Sequence, residues 1–256
     1  MTCTRPSQSR PEAANRLCRS SPVPATLNPG APCWAGLRSA DVAASTAFYS
    51  GLFGWEPLVA PNGYVTYLLG GKAVAGAGPL FDETQRPGWR TYLGVVDVDR
   101  TALAAVQAGA TILVEPFDVP DTGRVGVVID PVGAEVWLWQ SFGFSGADVT
   151  GESGTVCRQE LVAGDVAAAR AFYDSVLGVE TARLCSPGTG EEATVAEWRV
   201  AFAVEDVEAA VARACALGAS SVGSSPGLAM LADPDGCRFS VCDAGAGVAA
   251  TDEREL

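Results

Sequence analysis

The 256-residue chain contains no histidine. That absence excludes Ser-His-Asp triads, Cys-His nucleophiles, His-bearing zinc sites and the two-His-one-carboxylate iron site, because each needs an imidazole. Lysine is almost missing as well. Lys72 stands alone beside 16 arginines, and 30 acidic residues bring the formal net charge to −13. A phosphate backbone requires a basic footprint, so no nucleic-acid partner is expected. No apolar run is long enough to span a bilayer, and the N-terminus lacks the apolar centre of a secretory signal. A cytoplasmic protein with no membrane partner is the expectation. The eight cysteines (Cys3, Cys18, Cys33, Cys157, Cys185, Cys215, Cys237 and Cys242) include no CxxC pair. They read as reduced, small, mostly buried packing residues.

Two regions are read as tails. Residues 1–30 are rich in Ser, Pro and Arg, and four arginines against Glu12 give them a charge of +3, leaving −16 on the other 226 residues. This composition predicts a disordered segment. It also has a loose likeness to an organelle transit peptide. Residues 244–256 are read as a flexible C-terminal tail.

Between the tails the sequence repeats itself. Asp41, Phe48, Tyr49 and Gly54 recur as Asp165, Phe172, Tyr173 and Gly178 at a constant offset of 124. Val95, Asp97 and Gly109 recur as Val204, Asp206 and Gly218 at an offset of 109, and Asp130-Pro-Val-Gly133 recurs as Asp233-Pro-Asp-Gly236 at 103. Three landmarks in one order mark an internal duplication, with the second copy the shorter. Each copy reads strand, helix, strands, helix, strands. The aspartates are N-caps, the glycines after the apolar helical stretches are stops, and the Asp-Pro-x-Gly elements are turns before a final strand. Residues 64–69 and 73–77 predict a hairpin around Gly70-Gly71. Gly70, Gly71, Gly76 and Gly78 superficially suggest a phosphate loop, but neither GxGxxG nor GK[ST] is present, so they are read as a turn.

With these motifs in place, the sequence resembles the vicinal oxygen chelate superfamily, which includes glyoxalase I, extradiol dioxygenases and bleomycin-resistance proteins. The segment 121–140 is similar to a two-module actinobacterial subgroup often labelled hydroxylase. The resemblance implies an α+β fold of tandem βαβββ modules, at residues 31–143 and 154–243. Their curved mixed sheets would form cups, with helices on the convex face. In metal-using relatives one ligand lies on the first strand, seven residues before the capping Asp. Another lies on the last strand, seven residues after the Asp of the turn. The matching positions here are Trp34, Arg158, Trp137 and Ser240, none of them a His, Asp or Glu. No metal and no other cofactor is therefore expected.

Strand alternation sorts the remaining candidates by face. Trp34, Gly36, Arg38, Arg90, Tyr92, Glu135, Trp137 and Trp139 share the face of the first cup. Arg158, Glu160, Arg238, Ser240 and Cys242 share that of the second. Leu37, Val136, Leu138, Leu161, Phe239 and Val241 alternate with them and should meet the helices. Cys33 and Cys157 should point away from the cups.

The aromatic first cup suits stacking on an aromatic ligand, or simply a filled core. In the second, Arg158 and Glu160 form either an ion pair or an anion binder and a base. Three functions follow. The first is a metal-independent protein that binds a bulky aromatic antibiotic or secondary metabolite, neutral or cationic, the acidic body suiting a cationic one. It would hold that ligand through Trp34, Arg38, Tyr92, Trp137, Trp139, Arg238 and Ser240. The second is a metal-independent cyclase, isomerase or dehydratase using Glu160 and Arg158. The third is a degenerate module with no ligand. Either a monomer or a homodimer is compatible with two modules in one chain.

Overall fold

The computed structural model describes residues 29–82, 85–177, 184–185 and 196–244. Almost all of both expected tails, and the expected helix stop at Gly178, lie outside the described residues. The first half runs β1 (Pro32–Ser39), α1 (Val42–Phe53), β2 (Glu56–Val59), β3 (Val65–Leu69), β4 (Lys72–Pro79), β5 (Gly88–Gly94), α2 (Val98–Gln107), β6 (Thr111–Val119), β7 (Gly123–Ile129) and β8 (Glu135–Ser141). The second runs β9 (Val156–Val162), α3 (Val166–Leu177), β10 (Leu184–Cys185), β11 (Glu197–Val204), α4 (Val207–Ala216), β12 (Ser220–Ser225), β13 (Leu228–Ala232) and β14 (Arg238–Asp243).

These strands form two mixed, curved sheets, ordered β2-β3-β4-β1-β5-β8-β7-β6 and β10-β9-β11-β14-β13-β12. The fold is α+β, as the resemblance implied. Within the first sheet the βαβββ order occurs twice, and the two copies meet antiparallel at β1 and β5. The second sheet repeats this junction at β9 and β11. Gly70 and Gly71 turn β3 into β4, whereas Gly76 and Gly78 lie inside β4 and belong to a strand.

The repeated aspartates are caps. Asp41, Asp97, Asp165 and Asp206 each accept, through Oδ1, the backbone N–H three residues on, at 2.9 Å. Each satisfies one otherwise orphaned helical donor, worth about 1 kcal/mol. Gly54 closes α1 at φ +74°, a conformation that costs glycine little.

The other two landmarks interlock the halves. Asp130 Oδ1 accepts the N–H groups of Val132 and Ala134, shaping its own turn, while Oδ2 accepts Tyr173 Oη at 2.8 Å from α3 in the other half. Asp233 does the same with Asp235, Cys237 and Tyr49 Oη of α1, the last at 2.9 Å. Each phenol also accepts an indole N–H, Trp89 to Tyr49 and Trp198 to Tyr173. Burial, with the neighbouring aspartate charge, drives both tyrosines well above the ordinary phenol value. Burial likewise raises Asp130 and Asp233, against the lowering effect of their hydrogen bonds.

Leu37, Phe239 and Val241 enter one buried cluster, and Val136, Leu138 and Leu161 enter another. Both clusters mix residues from the two sheets and the helices. Two bulges disturb the expected alternation. The β1–β5 register skips Cys33 and the β9–β11 register skips Cys157. An extra residue resets side-chain alternation locally. Cys33 accordingly packs against the aromatic cluster of the first cup rather than behind the sheet. Cys157 and Cys242, expected on opposite faces, meet across β11.

Candidate functional site

The concave face of the first sheet brings together five of the residues expected there. β1 supplies Trp34 and Arg38, β5 supplies Tyr92, and β8 supplies Trp137 and Trp139. The ladder sets Trp34 beside Tyr92 and Tyr92 beside Trp137. All five side chains are buried. Their indole N–H groups are spoken for. Trp34 donates to Tyr64 Oη at 2.9 Å, Trp137 to Glu135 Oε1 at 2.7 Å, and Trp139 to the Phe144 carbonyl at 2.8 Å.

Glycines make room for these rings. Gly36 and Gly76 are ladder partners, and Gly78 is the partner of Arg38. A Cβ on Gly36 would come 2.9 Å from the Tyr92 ring, and one on Gly76 would overlap the Tyr64 hydroxyl. The glycines of β4 therefore accommodate aromatic rings and do not cradle phosphate. Burial raises the Tyr64 and Tyr92 phenols, so both are neutral donors at ordinary pH.

Two further rings close the cup. Phe144 meets Trp34 edge-on at 4.9 Å. Phe81, on the connection between β4 and β5, lies face to face with Trp137 at 5.4 Å and 13°. The Arg38 guanidinium carbon sits 4.4 Å from the Phe81 ring centre and 4.5 Å from that of Trp137. Arg38 is 9% exposed, donates to the Pro79 carbonyl at 3.0 Å, and has no carboxylate within ion-pair distance among the described residues. Its charge is held by ring faces and a carbonyl, an arrangement that leaves the cation uncompensated.

The second sheet presents charge instead. Arg158 Nη1 lies 3.6 Å from Glu160 Oε2, and Arg199 Nε lies 2.7 Å from Glu197 Oε1. Arg199 also stands opposite Glu160 in the β9–β11 ladder. The expected pair Arg158 and Glu160 thus meet each other. Arg238 and Ser240 lie apart from them, on the wall of a cleft of about 290 Å³ where β5 of the first sheet crosses β11 and β14 of the second. The candidate residues therefore form three groups rather than one site.

Sequence reasoning missed Tyr64, Phe81 and Phe144. A signal for Tyr64 existed, since glycines alternating on adjacent strands imply a bulky group lying over them. Phe81 and Phe144 sit on connections whose paths no local pattern fixes.

The resemblance carries a metal in many relatives. At the matching positions stand the indoles of Trp34 and Trp137, the guanidinium of Arg158 and the hydroxyl of Ser240. Among the described residues no three His, Cys, Asp or Glu side chains converge as a metal cage. A divalent ion needs several deprotonated donors at one point, and this set does not fit one.

Comparison with known proteins agrees with the architecture. Residues 33–138 match the Glyoxalase/Bleomycin resistance protein/Dioxygenase superfamily, and residues 156–242 match the Glyoxalase-like domain. The anthracycline biosynthesis protein DauV of Streptomyces sp. (strain C5) is 37% identical over 258 residues, covering 84% of this chain and 94% of its own. The glyoxylase-named CFP32 of Mycobacterium tuberculosis (strain CDC 1551 / Oshkosh) is 33% identical over 245 residues, covering 83% and 94%. The Mn(II)-bound glyoxalase from Novosphingobium aromaticivorans aligns with a TM-score of 0.57 at 16% identity, over 84% of this chain and 82% of its own. Two matched halves, long-range relatives and a shared architecture make this chain a member of the Glyoxalase/Bleomycin resistance protein/Dioxygenase superfamily.

Proposed function

We propose that this protein binds a planar aromatic intermediate of secondary metabolism in its first cup, without a metal, and serves as an accessory to biosynthetic tailoring or as a resistance protein. The observation that carries this reading is Phe81. Its ring is 45% exposed, yet it stacks on a fully buried tryptophan beside an uncompensated arginine. A polycyclic ligand can take the place of this ring on Trp137 and offer a carbonyl or phenolate oxygen to Arg38. Aromatic stacking of this kind is worth roughly 0.5–1.5 kcal/mol beyond burial. DauV, and DnrV of Streptomyces peucetius, are named for anthracycline biosynthesis, which supports a polycyclic ligand class. The acidic body favours ligands that also carry an amine. No helix among the described residues is long and apolar enough to cross a membrane. The reading places the protein in the cytoplasm, with the enzymes it would serve.

Binding is favoured over turnover because the one carboxylate on the cup wall among the described residues is engaged. Glu135 Oε1 accepts both the Trp137 indole and Arg90 Nε. The test is a tryptophan-fluorescence titration with polycyclic quinones, with and without an amine, followed by chromatography of each sample. Saturable quenching with the compound recovered intact is expected. Phe81→Ala, which removes the competing ring, should tighten binding by roughly two- to tenfold. A new product would replace this reading with an enzymatic one centred on Glu160 and Arg158. Absence of quenching by every compound would leave the cup a filled core.

A further inference from the structure

The cleft at the crossing of the two sheets is lined by none of the aromatic residues of the first cup. Arg90 and Arg199 are equivalent positions of the duplication, 109 residues apart, and both line it. Arg86 and Arg238 line it too, so four arginines line the cleft, with Glu197 as the one carboxylate among its lining residues. In a chain of net charge −13 with 16 arginines this is a concentrated positive patch. The half-buried pair are partly neutralised, Arg90 by Glu135 at 2.9 Å and Arg199 by Glu197 at 2.7 Å, both through Nε. Arg90 also donates to the backbone carbonyls of Trp89 and Arg86. Arg86 and Arg238 are exposed and have no carboxylate partner among the described residues. Ser240, mostly buried, adds a hydroxyl to the same wall.

Like charges gathered in a concave site repel one another unless an anion joins them, and low-dielectric walls strengthen the field between them. Guanidinium forks match carboxylate and phosphate oxygens two at a time. The cleft volume of about 290 Å³ lies at the low end of small-molecule sites, roughly 300–1,000 Å³. It suits a compact ligand and not a polycyclic one.

We propose that this inter-sheet cleft is a second binding site, for a compact polyanion such as a diphosphate or a tricarboxylate, held by Arg86 and Arg238 at the mouth and by Arg90, Arg199 and Ser240 within. Its lining shares no residue with the aromatic cluster of the first cup, to which it is joined only through the Arg90–Glu135 pair.

The test is calorimetric titration of the full-length protein with inorganic diphosphate and, separately, with citrate, at low and at physiological ionic strength. The stronger of the two identifies phosphate or carboxylate chemistry. Saturable binding that weakens with salt is expected. Arg238→Gln and Arg86→Gln should each weaken it about tenfold, the double substitution more, and Arg238→Lys should retain part of it. Both arginines are exposed, so unchanged thermal unfolding will show that the variants fold. Failure of both anions to bind at millimolar concentration would overturn the proposal. So would equal affinity in the double variant, or loss of binding in Arg38→Gln, which would move the anion into the first cup. Apart from the Arg38→Gln result, these outcomes leave the quinone titration untouched, so the two readings fail separately.

Discussion

Where the first sheet carries Trp34, Gly36 and Arg38 on its leading strand, the second carries Arg158, Glu160 and Val162 at the equivalent positions. Where the first ends in Glu135, Trp137 and Trp139, the second ends in Arg238, Ser240 and Cys242. The backbones beneath are matched. Both sheets are joined at a central antiparallel pair, β1 with β5 and β9 with β11, and both leading strands bulge one residue before the first of these positions. The backs of the sheets share capping aspartates, Tyr–Asp bonds and apolar alternation. The concave faces share almost nothing. The duplication thus retains what holds the halves together, while the surface available to a ligand differs completely. One face has become a buried aromatic block over glycines, and the other a face of arginines and carboxylates.

The sharpest way to break this contrast is to hollow the aromatic block. Trp137→Ala removes a fully buried indole and should destabilise the protein by about 3–5 kcal/mol in denaturant melts. A cost below about 1 kcal/mol would show that the first cup is not a packed core.

The shared back of the molecule should respond symmetrically. Tyr49→Phe and Tyr173→Phe each leave a buried carboxylate one donor short, and each should cost about 1–3 kcal/mol. A large asymmetry would mean that the two locks are not equivalent. Both phenols are raised in the folded state, so their contribution is complete below the ordinary value of 10 and is lost as pH climbs above it. Tyr67, pushed by burial up to about 12, adds to the same loss. Stability should therefore fall steeply between pH 10 and 12, with phenolate absorbance appearing only as the protein unfolds. Asp130 and Asp233 are raised as well. Their contribution is full below the ordinary carboxylate range and declines as pH rises through their folded values. Mild acid should not weaken the locks through these two groups.

The smallest effect is expected on the charged face. Arg158→Gln breaks a 3.6 Å pair whose arginine is 36% exposed, and should cost under about 1 kcal/mol. Quinone quenching in the first cup should stay unchanged in this variant. Weakened quenching would show that the two faces communicate.

Much of this organisation was legible because it is local. Asp41 and Asp206 announce helices through a bond three residues away, and Gly54 ends one through its own φ. The duplication fixed which strands correspond, and alternation placed Trp34, Arg38, Tyr92, Trp137 and Trp139 on one face. Alternation failed at Cys33 and Cys157 because a bulge inserts a residue that no composition marks. The meeting of Cys157 with Cys242 joins positions 85 residues apart. Phe81 reaches Trp137 across 56 residues, and the β5–β11 crossing that gathers four arginines exists only once the sheets pack. Long-range meetings of this kind leave no trace in spacing.

The crossed tyrosines carry one more consequence. Each half buries a phenol whose proton is accepted by the other half's turn, so each behaves as a ligand of its sibling. Were the halves separate polypeptides, that contact would depend on concentration. Within one chain the tether holds the partner at an effective concentration on the order of millimolar. Such coupling relaxes the demands on either concave face. A half that binds nothing is still required, because the other half's tyrosine and aspartate need a counterpart. The same bond that unites the two cups is what frees them to be different.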